Sequence, residues 1–162
     1  MKLLVVCLGN ICRSPMGEGA LRAHVAQAGL DSWITVDSAG TSGWHAGDPP
    51  DSRAVACARR HGVDISGLRG RQLTPADFHD FDHILCADAS NLDNARALAP
   101  DGLQERAVLW LPWAGVTGET AIPDPYYGQD RDFEQSWALV DAAARGTVQR
   151  LSRNGQSCII QP

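Results

Sequence analysis

Cys7 and Arg13 stand five residues apart in the segment Cys7-Leu8-Gly9-Asn10-Ile11-Cys12-Arg13-Ser14-Pro15. A thiol is a nucleophile that works without a metal, and a guanidinium offers a planar fork of donors to two oxygens of a phosphoryl group. The backbone N–H groups of Leu8, Gly9, Asn10, Ile11 and Cys12, curled around one point, would form an anion nest, and a helix start just beyond would add its unpaired donors and dipole. Gly9 lets the backbone approach closely or take a positive φ. Ser14 followed by Pro15 reads as an N-cap and first helical residue, with the Ser14 hydroxyl near the thiol. In that setting the Cys7 pKa is expected to fall well below the free value of about 8.5. The predicted chemistry is in-line attack by Cys7 on a tetrahedral phosphoryl group, with Arg13 and the nest holding its equatorial oxygens. A phosphocysteine results, and no metal or cofactor is needed. Cys-x5-Arg alone is a weak signal, and Cys7 could be an ordinary buried strand-end thiol. A preceding strand, an internal glycine and a Ser-Pro helix start make it specific.

Cleaving a phosphate monoester also requires a proton for the leaving oxygen, which points to a carboxyl group on a loop. Asp124 lies in Ala121-Ile122-Pro123-Asp124-Pro125-Tyr126-Tyr127. Its flanking prolines hold the segment extended, and Pro125 keeps Asp124 out of helical geometry. By itself Asp-Pro reads as a turn. Tyr126, Tyr127 and Trp44 are aromatic side chains on loops, where packing alone would explain them. His45, beside Trp44, either tunes substrate choice or is solvated.

The elements that must carry these loops alternate between strand and helix. Lys2–Val6 is a short apolar run of the kind that buried parallel strands show. A helix should follow from Ser14 to about Ala28, stopped by Gly29, with Glu18 one position late for a capping box. Further strands are expected at Trp33–Asp37, His83–Cys86 and Arg106–Trp110. Further helices are expected at Asp51–His61, closed by Gly62, at a short turn from Thr74-Pro75, and at Ser90–Ala99. In the last helix Phe133, Trp137, Val140, Ala144, Val148 and Leu151 recur at spacings of three and four. The pattern predicts one three-layer α/β/α domain over residues 1–162, with a four-stranded parallel sheet of flavodoxin-like order 2-1-3-4. Ligands of such sheets bind beyond the carboxyl ends of the strands, which is where the loop after Val6 falls.

Composition narrows the function. The 162 residues are 44% hydrophobic and 20% charged, which excludes a disordered tail or a fibrous repeat. The net charge of −5 is spread without a basic run, which argues against nucleic acid. No apolar run spans a bilayer or reads as a secretory leader, so a cytoplasmic protein without membrane association is expected. Five cysteines, an odd number, suit free thiols in a reducing compartment. Cys57 and Cys158 read as structural, and Arg53, Arg59 and Arg60 as the wet face of a helix. His79 and His83, beside Asp80 and Asp82, lack zinc-site spacing and read as solvated, so no metal is assigned. Gly40-Thr41-Ser42-Gly43 fits neither a nucleophile elbow nor a nucleotide P-loop.

The segment from Cys7 to Pro15 resembles the signature of the low-molecular-weight protein tyrosine phosphatases. The resemblance continues through Asp37-Ser38-Ala39-Gly40, Trp44, Asp48-Pro49, Arg71-Gln72, Asp88-Ala89-Ser90-Asn91 and Asp124-Pro125-Tyr126-Tyr127. It implies hydrolysis of protein phosphotyrosine and small aryl phosphates, with Asp124 as general acid and then as the base that activates water. It also implies that Trp44, Tyr126 and Tyr127 wall a deep cleft for a phenyl ring. Asn10 and Ser38 would hold the loop's shape by hydrogen bonds, and Ser14 would steady the thiolate. Leu68 stands where relatives often carry a histidine that supports the asparagine, a departure from the pattern. Oxidation would join Cys7 to Cys12 reversibly. The implied partners are phosphotyrosine proteins, tyrosine kinases among them in bacterial relatives, with inorganic phosphate as product and inhibitor.

Three rival readings remain. A thiol-dependent arsenate reductase needs two relay cysteines; Cys86 falls near the first position, but Asp93 stands near the second. A phosphocysteine carrier of a sugar phosphotransferase system must keep its phosphocysteine from water, against which Arg13 and Asp124 would work. An inactive phosphotyrosine-binding module would have no use for Cys7, Arg13 and Asp124 together.

Overall fold

The computed structural model describes residues 1–157, with side chains through residue 154, so Cys158 lies outside the described residues. β1 (Lys2–Cys7) is central, and the parallel order is β2-β1-β3-β4, as expected, with β2 at Thr35–Gly40, β3 at His83–Cys86 and β4 at Ala107–Leu109. Side chains alternate across β1. Leu3, Val5 and Cys7 point into one core, and Leu4 and Val6 into the other. The first core packs under α1 (Arg13–Gln27), α2 (Ser52–Arg60) and α6 (Asp130–Ser157). The second is closed by Phe78 of the one-turn helix α3 (Asp77–Asp80) and by Ala95 of α4 (Ala89–Leu98).

α1 is buried on most of its circumference because it lies between the sheet and α6, so it shows no amphipathic stripe. Glycines permit this approach: a Cβ on Gly17 would lie 2.8 Å from Trp110, and one on Gly19 2.6 Å from Ile65. On α6, Phe133, Trp137, Val140, Ala144 and Leu151 turn inward as the spacing predicts, and Val148 is partly buried. Thr147 is also buried there, where it accepts a hydrogen bond from the Trp110 indole at 2.9 Å.

Several boundaries differ from expectation. β2 begins two residues late and runs through Ser38, Ala39 and Gly40, because pairing with Val5, Val6 and Cys7 overrides their weak strand preference. Trp33 lies outside it in a turn and is 42% exposed. β4 is only three residues long, since Trp110 and Leu111 turn at once into a short helix, α5 (Trp110–Trp113). The N-cap of α1 is Cys12 rather than Ser14, and no side chain caps it. Glu18 is no capping residue; it points inward to Ser38.

Candidate active site

The segment 8–12 rises from the carboxyl end of β1 and enters α1. The positive φ falls on Asn10, at 56°, rather than on Gly9. Asparagine tolerates this left-handed geometry better than most residues. Gly9 serves instead for close approach, because a Cβ there would meet the His45 ring at 3.2 Å. Gly40 does the same from beneath, where a Cβ would lie 2.7 Å from the Leu8 carbonyl oxygen. Thr41 and Ser42 donate their backbone N–H groups to the carbonyls of Cys7 and Leu8, both at 2.9 Å, and so tie the loop down. The backbone N–H groups of residues 9–12 have no acceptor among the described residues. With the uncapped terminus of α1, they make a concavity of donors suited to an anion.

The hydrogen bonds beneath the loop run in one direction. The Asn10 side-chain oxygen accepts from the Arg71 backbone N–H at 3.0 Å, so its amide nitrogen must face the other way. That nitrogen donates to Ser14 Oγ at 2.7 Å and to Ser38 Oγ at 3.0 Å. Each hydroxyl then directs its own proton elsewhere. Ser38 donates to Glu18 at 2.7 Å, and Ser14 lies 3.0 Å from Cys7 Sγ. The other acceptor near Ser14, the Ala39 carbonyl, is farther at 3.4 Å. A Cys7 thiolate can only accept, so in that state the Ser14 hydroxyl is the donor to sulfur. Leu68 packs partly buried against the core, and the Arg71 N–H supports Asn10. Arg71 is itself anchored by ion pairs to Asp37 and Asp77 at 3.1 Å each.

Glu18 is 2% exposed, and burial raises its pKa against the opposing pull of Ser38 and Arg22. Arg22 Nη2 lies 2.9 Å from its second oxygen but is not aligned as a hydrogen bond.

Arg13 is 3% exposed and already oriented. Its Nη1 donates to Asp88 at 2.6 Å and to the Ile122 carbonyl at 3.0 Å. Asp88 also caps α4 by accepting from the Asn91 N–H at 2.8 Å, so one carboxylate serves a helix and the guanidinium. The Nε and Nη2 edge carries no hydrogen bond among the described residues, which leaves it for two oxygens of a ligand. Burial pulls the Arg13 pKa down, but the charges of Cys7, Asp88 and Asp124 outweigh it, so the group is held more firmly protonated.

Asp124 Oδ2 lies 3.6 Å from Arg13 Nη2, and its other oxygen accepts the Tyr126 N–H at 3.1 Å. Its loop is held by the Ile122 N–H on the Ala87 carbonyl at 2.9 Å and the Ser136 hydroxyl on the Pro123 carbonyl at 2.9 Å. Cys7, Leu8, Gly9, Ile11, Cys12, Arg13, Trp44, His45, Asp124, Tyr126 and Tyr127 line one cleft of about 180 Å³. Cys7, Cys12 and Arg13 are buried at its floor, whereas Trp44 and Tyr127 are 78% and 97% exposed at its rim. The Tyr126 and Tyr127 rings meet edge to face at 4.9 Å. His45 is part of the cleft: it packs over Gly9, and its Nδ1 lies 3.1 Å from Asp48.

Several other expectations change. Arg53 is not on a wet face; it lies between Asp51 and the loop carrying Asp124. Arg60 is exposed but pairs with Glu134 at 2.7 Å. His83 is not solvated; it packs against Trp113 with ring centroids 4.9 Å apart, and burial lowers its pKa. Cys57, His61 and Glu134 bring metal-type donors together. Both Glu134 oxygens are engaged, however, by Arg60 at 2.7 Å and His61 at 2.6 Å, and a guanidinium in contact opposes a cation. Cys86 is fully buried in the second core, on the opposite sheet face from Cys7, and burial pushes its thiol up to about 12. It cannot serve as a disulfide relay for Cys7, which disfavours arsenate reduction.

A thiol under an uncapped helix terminus, facing an arginine pre-set by a carboxylate, with a carboxyl group across the cleft and Cys86 out of reach as a relay, fits the class of cysteine-dependent phosphatases. Comparison with known proteins narrows that class. Residues 2–157 match the model of the family described as low molecular weight phosphotyrosine protein phosphatase. The human protein of that name is 43% identical over 133 residues, covering 82% of this chain and 84% of its own. A protein tyrosine phosphatase structure from Entamoeba histolytica superposes with a TM-score of 0.91 at 30% identity, covering 96% of this chain and 99% of that one. Vibrio vulnificus Wzb in complex with benzylphosphonate gives 0.80 at 32% identity, covering 92% and 97%. The chain belongs to the low molecular weight phosphotyrosine protein phosphatase family.

Proposed function

We propose that this enzyme hydrolyses protein phosphotyrosine and small aryl phosphates through a phosphocysteine on Cys7. The observation that carries the residue assignment is the convergence of Cys7, Arg13 and Asp124 on one cleft, with the guanidinium and the carboxyl group 3.6 Å apart. The phosphoryl group sits in the concavity of N–H donors, two oxygens on the Nε–Nη2 edge of Arg13. The Cys7 sulfur forms the S–P bond as the P–O bond to the phenol breaks, and Asp124 gives its proton to the departing oxygen. In the second step the Asp124 carboxylate takes a proton from water, whose oxygen attacks phosphorus. The S–P bond breaks, sulfur recovers the electron pair, and the Ser14 hydroxyl stabilises the charge it regains. Inorganic phosphate leaves and competes with substrate for the same donors.

Floor and rim set the substrate class. A phosphate bound at the buried floor needs a long, flat side chain to reach past Trp44, Tyr126 and Tyr127, which suits phosphotyrosine better than phosphoserine. His45 lies where it would touch the substrate edge. The resemblance to bacterial members of the family suggests a further reading, that in a bacterial host the phosphoprotein is a tyrosine kinase. Among the described residues no helix is long and apolar enough to cross a membrane. The test is p-nitrophenyl phosphate hydrolysis with a chelator present, comparing wild type, Cys7→Ser and Asp124→Ala. Turnover abolished in the first variant and strongly reduced in the second is expected. No turnover by folded, reduced wild type would overturn the reading.

A further inference from the structure

Arg53 is a hub between the two loops of the site. Its Nη2 donates to the Tyr126 carbonyl at 2.9 Å, and Nη1 reaches the Gly128 carbonyl at 3.4 Å. Nε and Nη2 hold the Asp51 carboxylate at 3.1 and 2.9 Å. The guanidinium carbon lies 4.7 Å from the centre of the Phe133 ring and 5.7 Å from that of Tyr126. From the other side, the Asp51 N–H donates to the Ile11 carbonyl at 2.8 Å. A continuous path therefore joins the phosphate-binding loop to the acid loop through Asp51 and Arg53. It ends on the residue whose own N–H orients Asp124, since Tyr126 donates to the carboxylate and accepts from Arg53.

The acid loop needs such an external hold. Pro123 and Pro125 have no N–H to donate, so within the segment the backbone braces itself only by the Gly128 N–H on the Pro125 carbonyl at 2.8 Å among the described residues, beyond Asp124. Its carbonyls are caught instead from three directions: Ile122 by Arg13, Pro123 by Ser136, and Tyr126 by Arg53. Arginine suits the third place because its planar fork can grip a carboxylate, reach a carbonyl and lie over a ring at once, which lysine cannot.

We propose that the Asp51–Arg53 pair is a positioning device that registers the acid loop against the phosphate-binding loop, so that Asp124 reaches the leaving oxygen. It rests on the phosphatase reading above. Neither residue touches the reacting atoms; both act through the peptide of Tyr126.

The test is kcat/KM for aryl phosphates whose phenols range from acidic to weakly acidic, in wild type, Arg53→Met, Arg53→Lys, Asp124→Asn and the Arg53→Met/Asp124→Asn double variant. Protonation by Asp124 matters more as the phenol becomes less acidic. Arg53→Met should therefore lose only about threefold in kcat/KM on p-nitrophenyl phosphate but about ten- to a hundredfold on phenyl phosphate, the scale of an ångström misplacement. Arg53→Lys should fall between, and would carry the test should the methionine variant not fold. With Asp124→Asn present, Arg53→Met should add less than about twofold, by the logic of a double-mutant cycle. Vanadate affinity, which reports the phosphate-binding loop, should be unchanged. An equal loss on every substrate, or the full loss persisting with Asp124→Asn, would overturn the proposal while wild-type turnover leaves the phosphatase reading intact. Absence of wild-type turnover would instead remove that reading, and this one with it.

Discussion

Replacing Ser14 with alanine removes a hydroxyl 3.0 Å from the Cys7 sulfur and leaves an Asn10 amide N–H, 2.7 Å away, without its acceptor. The two steps of the proposed reaction should feel this unequally. In the first step a hydrogen bond to sulfur stabilises the thiolate but also blunts its attack, so the effects partly cancel. In the second step sulfur is the leaving group and gains charge, and the hydroxyl assists in full. A hydrogen bond to a charged group is worth about 1.5–3 kcal/mol, which corresponds to a roughly 10- to 150-fold slower breakdown of the phosphocysteine. The unpaired amide, in a fully buried place, should also cost about 1–3 kcal/mol of stability. Rapid mixing with p-nitrophenyl phosphate separates the steps. Ser14→Ala should release a burst of nitrophenol close to one equivalent per enzyme, followed by a slow steady rate, with kcat/KM reduced much less than kcat. Equal reductions in both, or a kcat within about threefold of wild type, would refute the directional hydrogen-bond argument.

Gly40→Ala should displace the phosphate-binding loop, because the new Cβ would meet backbone atoms of Leu8, Gly9 and Asn10 at 2.7–3.1 Å. Overpacking of this kind costs about 1–3 kcal/mol, visible as a lower melting temperature and weaker phosphate protection. For Glu18, whose folded pKa is raised by burial, the native state binds the extra proton. Its contribution is therefore fully present below the unfolded pKa and is lost as pH rises through the folded one, so wild type should lose stability relative to Glu18→Gln between acid and neutral pH. Denaturant unfolding across that range checks the sign. Mild peroxide should inactivate the enzyme and a dithiol restore it, as Cys12 displaces water from a Cys7 sulfenic acid to form the disulfide. Burial, then the charges of Asp51, Cys7 and Asp124, raise the Cys12 pKa strongly, so disulfide formation should accelerate with rising pH, and irreversible loss would contradict this.

The sheet order and the main helices could be read from the chain because buried parallel strands and the α6 stripe leave local patterns. The Cys7-to-Arg13 loop was legible for the same reason: its residues are contiguous, and its glycine, thiol and proline each have a local conformational meaning. What escaped is what acts across the fold. The family resemblance already implied the bonds of Asn10 and Ser38, but not that Asn10 joins Arg71, 61 residues away, or that Arg13 joins Asp88, 75 residues away. Arg53 read as a solvated helix residue because nothing in its own turn announces that the acid loop comes to rest on it. The N-cap of α1 was misplaced onto Ser14 because a serine before a proline usually caps. Here that hydroxyl is turned to the sulfur, and the helix end is left open for an anion.

The central claim is that phosphate passes through Cys7. Quenching the enzyme during turnover of an aryl phosphate and locating the phosphoryl group by peptide mass spectrometry tests it directly. The account predicts one acid-labile phosphoryl group on the peptide containing Cys7, enriched in Ser14→Ala and absent in Cys7→Ser. Phosphate found on another residue, or turnover that survives Cys7→Ser, would contradict it.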